Sequence, residues 1–203
     1  MIGQASNAPA SLIYQPDCYV ERLPLEQMFP VAQPLEVELG AGDGSFLARF
    51  AALHPERNFL GVERLLGRLR KIDRKGRRAG LANLRLMRIE AFYFLEYLLP
   101  RGSVSALHVY FPDPWPKRRH KKNRLINEPF VSSASKALAP GGEVYLRTDN
   151  ADYFAQMNEL FAAHAAFART STPDELAAVI TDFERDFNAQ GIPTLRAAYR
   201  LKS

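Results

Sequence analysis

The stretch Leu35-Glu36-Val37-Glu38-Leu39-Gly40-Ala41-Gly42-Asp43-Gly44-Ser45 sets the architecture of the chain. A short apolar run feeds directly into a turn with glycines at 40, 42 and 44, where the backbone can bend tightly and approach a ligand. Downstream of it, four more runs have the length of buried strands: Asn58–Glu63, Asn83–Arg88, Ala106–Phe111 and Glu143–Thr148. Helical patterns lie between them, at about 44–54, 64–79, 91–99, 124–138 and 151–164. Strict alternation of strand and helix predicts an α/β fold with a mostly parallel central sheet, right-handed crossovers and helices on both faces. After residue 165 the order changes. Phe167–Ser171 reads as a strand, Thr172-Pro173-Asp174-Glu175 and Thr181-Asp182-Phe183-Glu184 as helix starts, and Leu195–Leu201 as a closing strand. Two late strands of this kind suit an antiparallel edge near the C-terminus. Residues 1–30 read as an irregular arm with one turn of helix, and 31–203 as a single domain.

The 203 residues are 47% hydrophobic and 24% charged, the balance of an ordinary globular domain. Nothing approaches the roughly 20 apolar residues of a membrane span, and no signal-peptide pattern opens the chain. Cys18 is the one cysteine, which fits a reducing, cytoplasmic setting and excludes an intrachain disulfide. The net charge of +5 is unevenly spread. Arg64–Arg78 carries +7 and Lys117–Arg124 carries +6, which leaves −8 for the rest. Two basic patches on an acidic body suggest a polyanionic partner, although either run alone also fits a solvated charged face.

An acid stands near the end of each early strand: Glu38, Glu63, Glu90 and Asp113. So many carboxylates at one rim would repel the phosphates of a dinucleotide. Ser45 also occupies the place of the third glycine of G-x-G-x-x-G, so a nicotinamide-dependent oxidoreductase is disfavoured. Ribose hydroxyls, an amine, an ammonium and a sulfonium are what carboxylates would hold. The E-L-G-x-G-x-G turn with its downstream acids resembles class I methyltransferases, a Rossmann-like fold that uses S-adenosylmethionine. That resemblance implies a cofactor site made by Glu38, Gly40, Gly42, Glu63, Glu90 and Asp113, with Glu63 on the ribose, Glu90-Ala91 by the adenine and Glu38 near the methionine end.

The fourth strand ends in Phe111-Pro112-Asp113-Pro114-Trp115-Pro116-Lys117, and Arg118-Arg119-His120-Lys121-Lys122-Asn123-Arg124 follows. Three prolines stiffen the loop; Trp115 could stack on a base and the basic run could grip phosphates. F-P-D-P-W-P-K-x-R-H-x-K-x-R resembles the tRNA (guanine-N7)-methyltransferase family over about Glu38–Gly191. The resemblance implies methyl transfer from S-adenosylmethionine to N7 of a guanine in the tRNA variable loop, with Asp113 as the central carboxylate. It implies Lys117, Asp149, Thr181, Asp182, Phe183 and Glu184 as substrate-binding residues, and Arg119, His120, Lys121, Lys122, Asn123 and Arg124 as RNA contacts. No metal is expected, and the protein is expected to act as a monomer or homodimer. Two positions depart from the family pattern, Glu90 for an aspartate and Asp186 for a basic residue. T-x-x-E at Thr181–Glu184 also reads as a helix-capping box. His108, inside a strand, and His120 have no evident partner. The competing readings are a methyltransferase of protein or small molecules, which would not bind tRNA, and a non-catalytic RNA-binding module, which would not bind the cofactor.

Overall fold

The computed structural model describes residues 11–202; the first ten residues of the expected arm and Ser203 lie outside the described residues. Eight strands form one sheet: β1 (Ile13–Tyr14), β2 (Leu35–Leu39), β3 (Asn58–Val62), β4 (Leu84–Met87), β5 (Val104–Tyr110), β6 (Leu138–Thr148), β7 (Phe167–Thr170) and β8 (Leu195–Leu201). Their spatial order is β1-β4-β3-β2-β5-β6-β8-β7, and β8 alone runs antiparallel to its neighbours. The helices are α1 (Leu25–Met28), α2 (Leu47–Leu53), α3 (Leu66–Arg78), α4 (Ala91–Tyr93, continued by a π turn over Phe94–Leu98), α5 (Glu128–Ala137), α6 (Ala151–Ala163), α7 (Asp174–Ala178) and α8 (Asp182–Ala189). Arg118–Asn123 forms a 3₁₀ segment.

Strand alternation divides the core in two. Val37, Leu39, Leu60, Val62, Leu107 and Val109 face a dry cluster with Phe94, Phe130, Met157 and Phe161. The other face holds Phe59, Leu84, Leu86, Ala106 and Tyr110 against Phe46, Phe50, Leu69 and Ile72. That second face also buries Glu36, Glu38, His108 and Arg147.

Side-chain caps begin four helices: Glu90 accepts from the Phe92 and Tyr93 N–H groups, Asn127 from Phe130, Asn150 from Tyr153 and Thr181 from Glu184. Expected boundaries move for local reasons. The helix expected from 44 starts at Leu47, because Gly44 sits at φ +73°, outside helical space. The helix expected over 124–138 shortens to α5, which starts at Glu128 after an extended link from Arg124, with Pro129 in its first turn. β6 extends back to Leu138 through an irregularity in its pairing with β5.

The described part of the arm is more ordered than expected. Ile13–Tyr14 pairs in parallel with Leu86–Met87, and Leu12, Leu23, Met28 and Phe29 are buried. Asp73 anchors it by accepting from the Leu12 N–H at 2.7 Å and from the Ser11 hydroxyl.

Candidate functional site

From β2 the chain winds outward through β3 and β4, then crosses to β5 and winds the other way, so the topological switch lies between β2 and β5. Open α/β sheets bind ligands beyond the strand ends at such a point. Two cavities open there. The first, 470 Å³, is lined by Glu38, the Gly40–Asp43 turn, Ser45, Phe46, Thr181, Asp182, Phe183 and Asp186. The second, 360 Å³, is lined by Val62, Glu63, Ile89, Glu90, Ala91, Asp113, Trp115, Asn123 and Leu125. Gly40, Arg68, Tyr110 and Phe111 belong to both walls.

The glycine turn is held from below. Glu63 accepts from the N–H of Gly42 at 3.1 Å and of Leu65 at 2.8 Å, tying the turn to the end of β3. Gly40 takes φ +85°, and a Cβ on Gly44 would sit 2.7 Å from Ile72, so α3 packs directly on the turn. Ser45 accepts from the Asp182 N–H at 3.1 Å and so joins the turn to the start of α8. The sequence offers no sign of this link, since 137 residues separate the partners.

Glu38 is buried, and its Oε2 has no hydrogen-bond partner among the described residues. Burial pushes its carboxyl up to about 8, with Asp43 and Glu63 adding to the shift and Arg147 opposing it. A buried acid aimed into a cavity without a donor fits a ligand that brings a cation or a hydrogen-bond donor. Glu90 caps α4 by accepting from the Phe92 and Tyr93 N–H groups at 2.9 and 2.7 Å. Glu63 and Glu90 thus spend only part of their acceptor capacity on backbone, and each retains lone pairs for hydroxyls or an amine.

The proline-rich loop is strained as well as stiff. Phe111 and Trp115 lie at φ +50° and +44°. Left-handed non-glycine residues of this kind cost of order 1–3 kcal/mol each and persist only when their surroundings fix them. Here the Phe111 N–H donates to the Arg147 carbonyl, the Trp115 N–H to Asp113 at 3.2 Å, and Arg124 Nε to the Pro114 carbonyl at 2.8 Å. Asp113 is exposed on the second cavity, and Trp115 packs edge-on against His120 with 5.8 Å between ring centres. His120 therefore has a partner that the sequence did not reveal.

Two expected contacts are corrected by burial. Arg124 is not free to meet RNA: its side chain is 1% exposed, bonds Asp152 and Gln156, and lies over the Tyr153 ring. It clamps the proline-rich loop to α6 instead. Glu184 is wholly buried, with one oxygen on Arg147 at 3.0 Å and the other on Arg196, and it lines neither cavity, so it is not presented to a base. Thr181 caps α8 through its hydroxyl, and the cavity wall from this motif consists of Thr181, Asp182 and Phe183. Phe183, 44% exposed, stacks on Phe187 and packs at a tilt against Phe111. Lys117, Arg119 and Lys122 are exposed on the surface next to the second cavity, while Lys121 pairs with Asp152. Asp149 follows β6 on the same side of the sheet and lines neither cavity.

Two residues whose partners sequence reasoning missed lie under the site. Arg147 donates to Glu184 and to the carbonyls of Val179 and Leu176, and its guanidinium lies 4.2 Å from the Tyr110 ring centre. His108 bonds Glu36 and the Tyr110 hydroxyl, both at 2.8 Å. Burial pushes the Tyr110 phenol well above its ordinary value, so it stays neutral. Burial would also raise Glu36, but His108 and Arg57 outweigh it and hold that carboxyl low. A charge inside a strand, at Arg147, was the available signal.

Residues 32–197 match a family described as "Putative methyltransferase". A 16S rRNA methyltransferase of known structure superposes with a TM-score of 0.66 at 17% identity, covering 90% of this chain and 95% of that one, so the two share the class I methyltransferase fold. The tRNA (guanine-N(7)-)-methyltransferase of Geobacter metallireducens is 38% identical over 147 residues, 72% of this chain and 70% of that protein. The enzyme of the same name from Geobacillus kaustophilus is 34% identical over 182 residues, 87% of this chain and 83% of that one. With identities of 34–38% over 70% or more of each chain, the chain belongs to the tRNA (guanine-N7)-methyltransferase family.

Proposed function

We propose that this chain transfers the methyl group of S-adenosylmethionine to N7 of a guanine in the variable loop of tRNA, and that the two adjoining cavities hold the two reactants. The unpartnered buried carboxylate of Glu38 carries the reading, because it needs a donor and the α-ammonium of the cofactor supplies one. Gly40 and Gly42 let the backbone pass close to the methionine part. Glu63 accepts from the ribose hydroxyls, and Glu90 stands by the adenine, which fits among Val62, Ile89, Ala91 and Leu125. The sulfonium supplies an activated methyl group.

Guanine N7 carries a free lone pair, so no general base is required. The protein acts by holding N7 in line with the methyl group, an effect worth several kcal/mol. Asp113 stabilises the positive charge that develops on the purine. The base, turned out of its stack, lies against Phe183. Asp182 accepts from its Watson–Crick donors, and Thr181 and Glu184 set the geometry of that wall. Lys117, Arg119, His120, Lys122 and Asn123 meet the RNA backbone or the flanking nucleotides. Lys121 would have to exchange Asp152 for a phosphate. The protein acts as a monomer or a homodimer. No helix among the described residues is long and apolar enough to cross a membrane, and a tRNA substrate suits the cytoplasm.

The test is incubation with labelled S-adenosylmethionine and unmodified tRNA, followed by nucleoside mapping. 7-Methylguanosine in the variable loop is expected; any other product overturns the reading. Asp113→Ala should lower turnover by at least about a hundredfold, the size of effect seen when a preorganised electrostatic partner is removed, while tRNA still binds. Near-normal turnover would remove Asp113 from the mechanism.

A further inference from the structure

The basic helix α3 is the other charged stretch of the sequence, and the site described above uses only its first turn. Arg68 lines both cavities. Of the basic residues from Arg64 to Arg78, only Lys75 and Arg77 are ion-paired among the described residues, to Asp43 and Asp73. Arg64, Arg68, Arg70, Lys71, Arg74 and Arg78 are exposed. The helix buries Leu69, Ile72, Asp73 and Gly76 and turns the rest of itself outward.

Beside α3 runs a third groove, of 650 Å³, whose walls include Tyr14, Tyr19, Leu66, Arg70 and Arg88 and, among the described residues, no acidic residue. It is a built feature. Its N-terminal wall is pinned by Asp73, by the Leu86 N–H donating to the Leu12 carbonyl, and by the Tyr93 hydroxyl donating to the Tyr19 carbonyl at 2.9 Å. Tyr19 is 45% exposed. Arg88, in the groove wall, donates to the carbonyl of Arg64, which lines the cavity of Glu63 and Trp115. Phenol rings for stacking, guanidiniums for phosphate and no carboxylate are the chemistry of a nucleotide site in single-stranded RNA.

We propose that this groove is a second RNA subsite, taking one unpaired nucleotide of the same tRNA whose guanine is methylated. Its base stacks on Tyr19 and Tyr14, its phosphate meets Arg70 and Arg88, and Arg68, Lys71 and Arg74 neutralise the backbone on either side. The RNA then crosses the cofactor mouth between two basic walls, the 3₁₀ segment and α3. The proposal rests on the tRNA reading above.

The experiment compares full-length tRNA with a short RNA hairpin carrying the target guanine alone, for the wild-type chain, Tyr19→Ala, Tyr19→Phe and Arg70→Glu/Arg74→Glu. These side chains are exposed, and an unchanged thermal midpoint checks the fold. On tRNA, Tyr19→Ala should raise KM about fivefold or more, Tyr19→Phe should retain most of the affinity, and the double variant should flatten the salt dependence by about 0.7 in log–log slope for each phosphate it no longer neutralises. kcat, KM for the cofactor and all constants on the hairpin should not move. Equal KM values for tRNA across the four proteins would overturn the subsite, as would an equal loss on the hairpin. A wild-type chain that binds tRNA without methylating it would sink the proposed reaction instead, and the subsite would still be judged by tRNA binding to the variants.

Discussion

The two faces of the sheet are built on different physics. One is dry: Val37, Leu107 and Val109 meet Phe94, Phe130 and Phe161 with no charge among them. The other places Glu36, Glu38, His108, Tyr110 and Arg147 beneath α2 and connects them to α8 through Glu184. Burying ions this way is a poor source of stability, since desolvation offsets most of the Coulombic gain. The contrast amounts to a division of labour. Both faces bury apolar clusters that stabilise the fold, and the charges embedded in the second face position the walls of the site.

Arg147 should be the most sensitive position. Arg147→Met leaves buried Glu184 with only Arg196, strips the Val179 carbonyl of its side-chain donor and leaves the Leu176 carbonyl with the Val179 N–H alone. A loss of about 3–5 kcal/mol is expected, read from urea unfolding, together with loss of turnover. A loss under about 1 kcal/mol would show that the network relaxes freely. Leu107→Ala on the dry face should cost about 2–5 kcal/mol in the same assay. Turnover per folded molecule should survive it, and a matching fall in kcat would erase the division between faces. Glu184→Gln keeps the shape and removes the charge, so a smaller loss of about 1.5–3 kcal/mol is expected from two weakened bonds to charged partners. Its effect on catalysis should appear as a higher KM for tRNA; a selective loss in kcat would return Glu184 to direct contact with the base.

The smallest effect is a pH dependence at Glu38. Its carboxyl is raised from the ordinary 4.5 to about 8 in the fold. Between those values the folded state holds a proton that the unfolded chain has released, so this group's contribution to stability falls as pH rises through the window and is level above it. A bound ammonium favours the ionised form, so cofactor binding releases that proton. Affinity for S-adenosylmethionine should therefore rise about tenfold from pH 6 to pH 7, with proton release seen by calorimetry in two buffers. Glu38→Gln should flatten the slope, and a flat wild-type profile would show that Glu38 is already ionised.

Much of this frame was legible in the amino-acid sequence. β2 to β6 announce themselves as apolar runs, and the four strand-end acids point to one rim because parallel strands bring their C-terminal ends together. Glu38, Glu63, Glu90 and Asp113 do line the adjoining cavities. What stayed hidden has one cause, a partner distant in sequence. His108 looks solitary until β2 brings Glu36 alongside, 72 residues away. Arg124 reads as one more surface charge, because nothing in a basic run marks the member that folds inward onto Asp152 and Tyr153. Ile13–Tyr14 is too short to show a period, and pairing with β4 makes it a strand.

The left-handed backbone at Phe111 and Trp115 bears on any attempt to re-engineer this protein. Glycine at either position would relax the local conformation and firm up the fold, yet it would remove an aromatic ring from a cavity wall. A screen for heat resistance would thus collect such changes and discard the enzyme. The loop should be held fixed in stability engineering, even though it lies on the surface where substitutions are usually harmless.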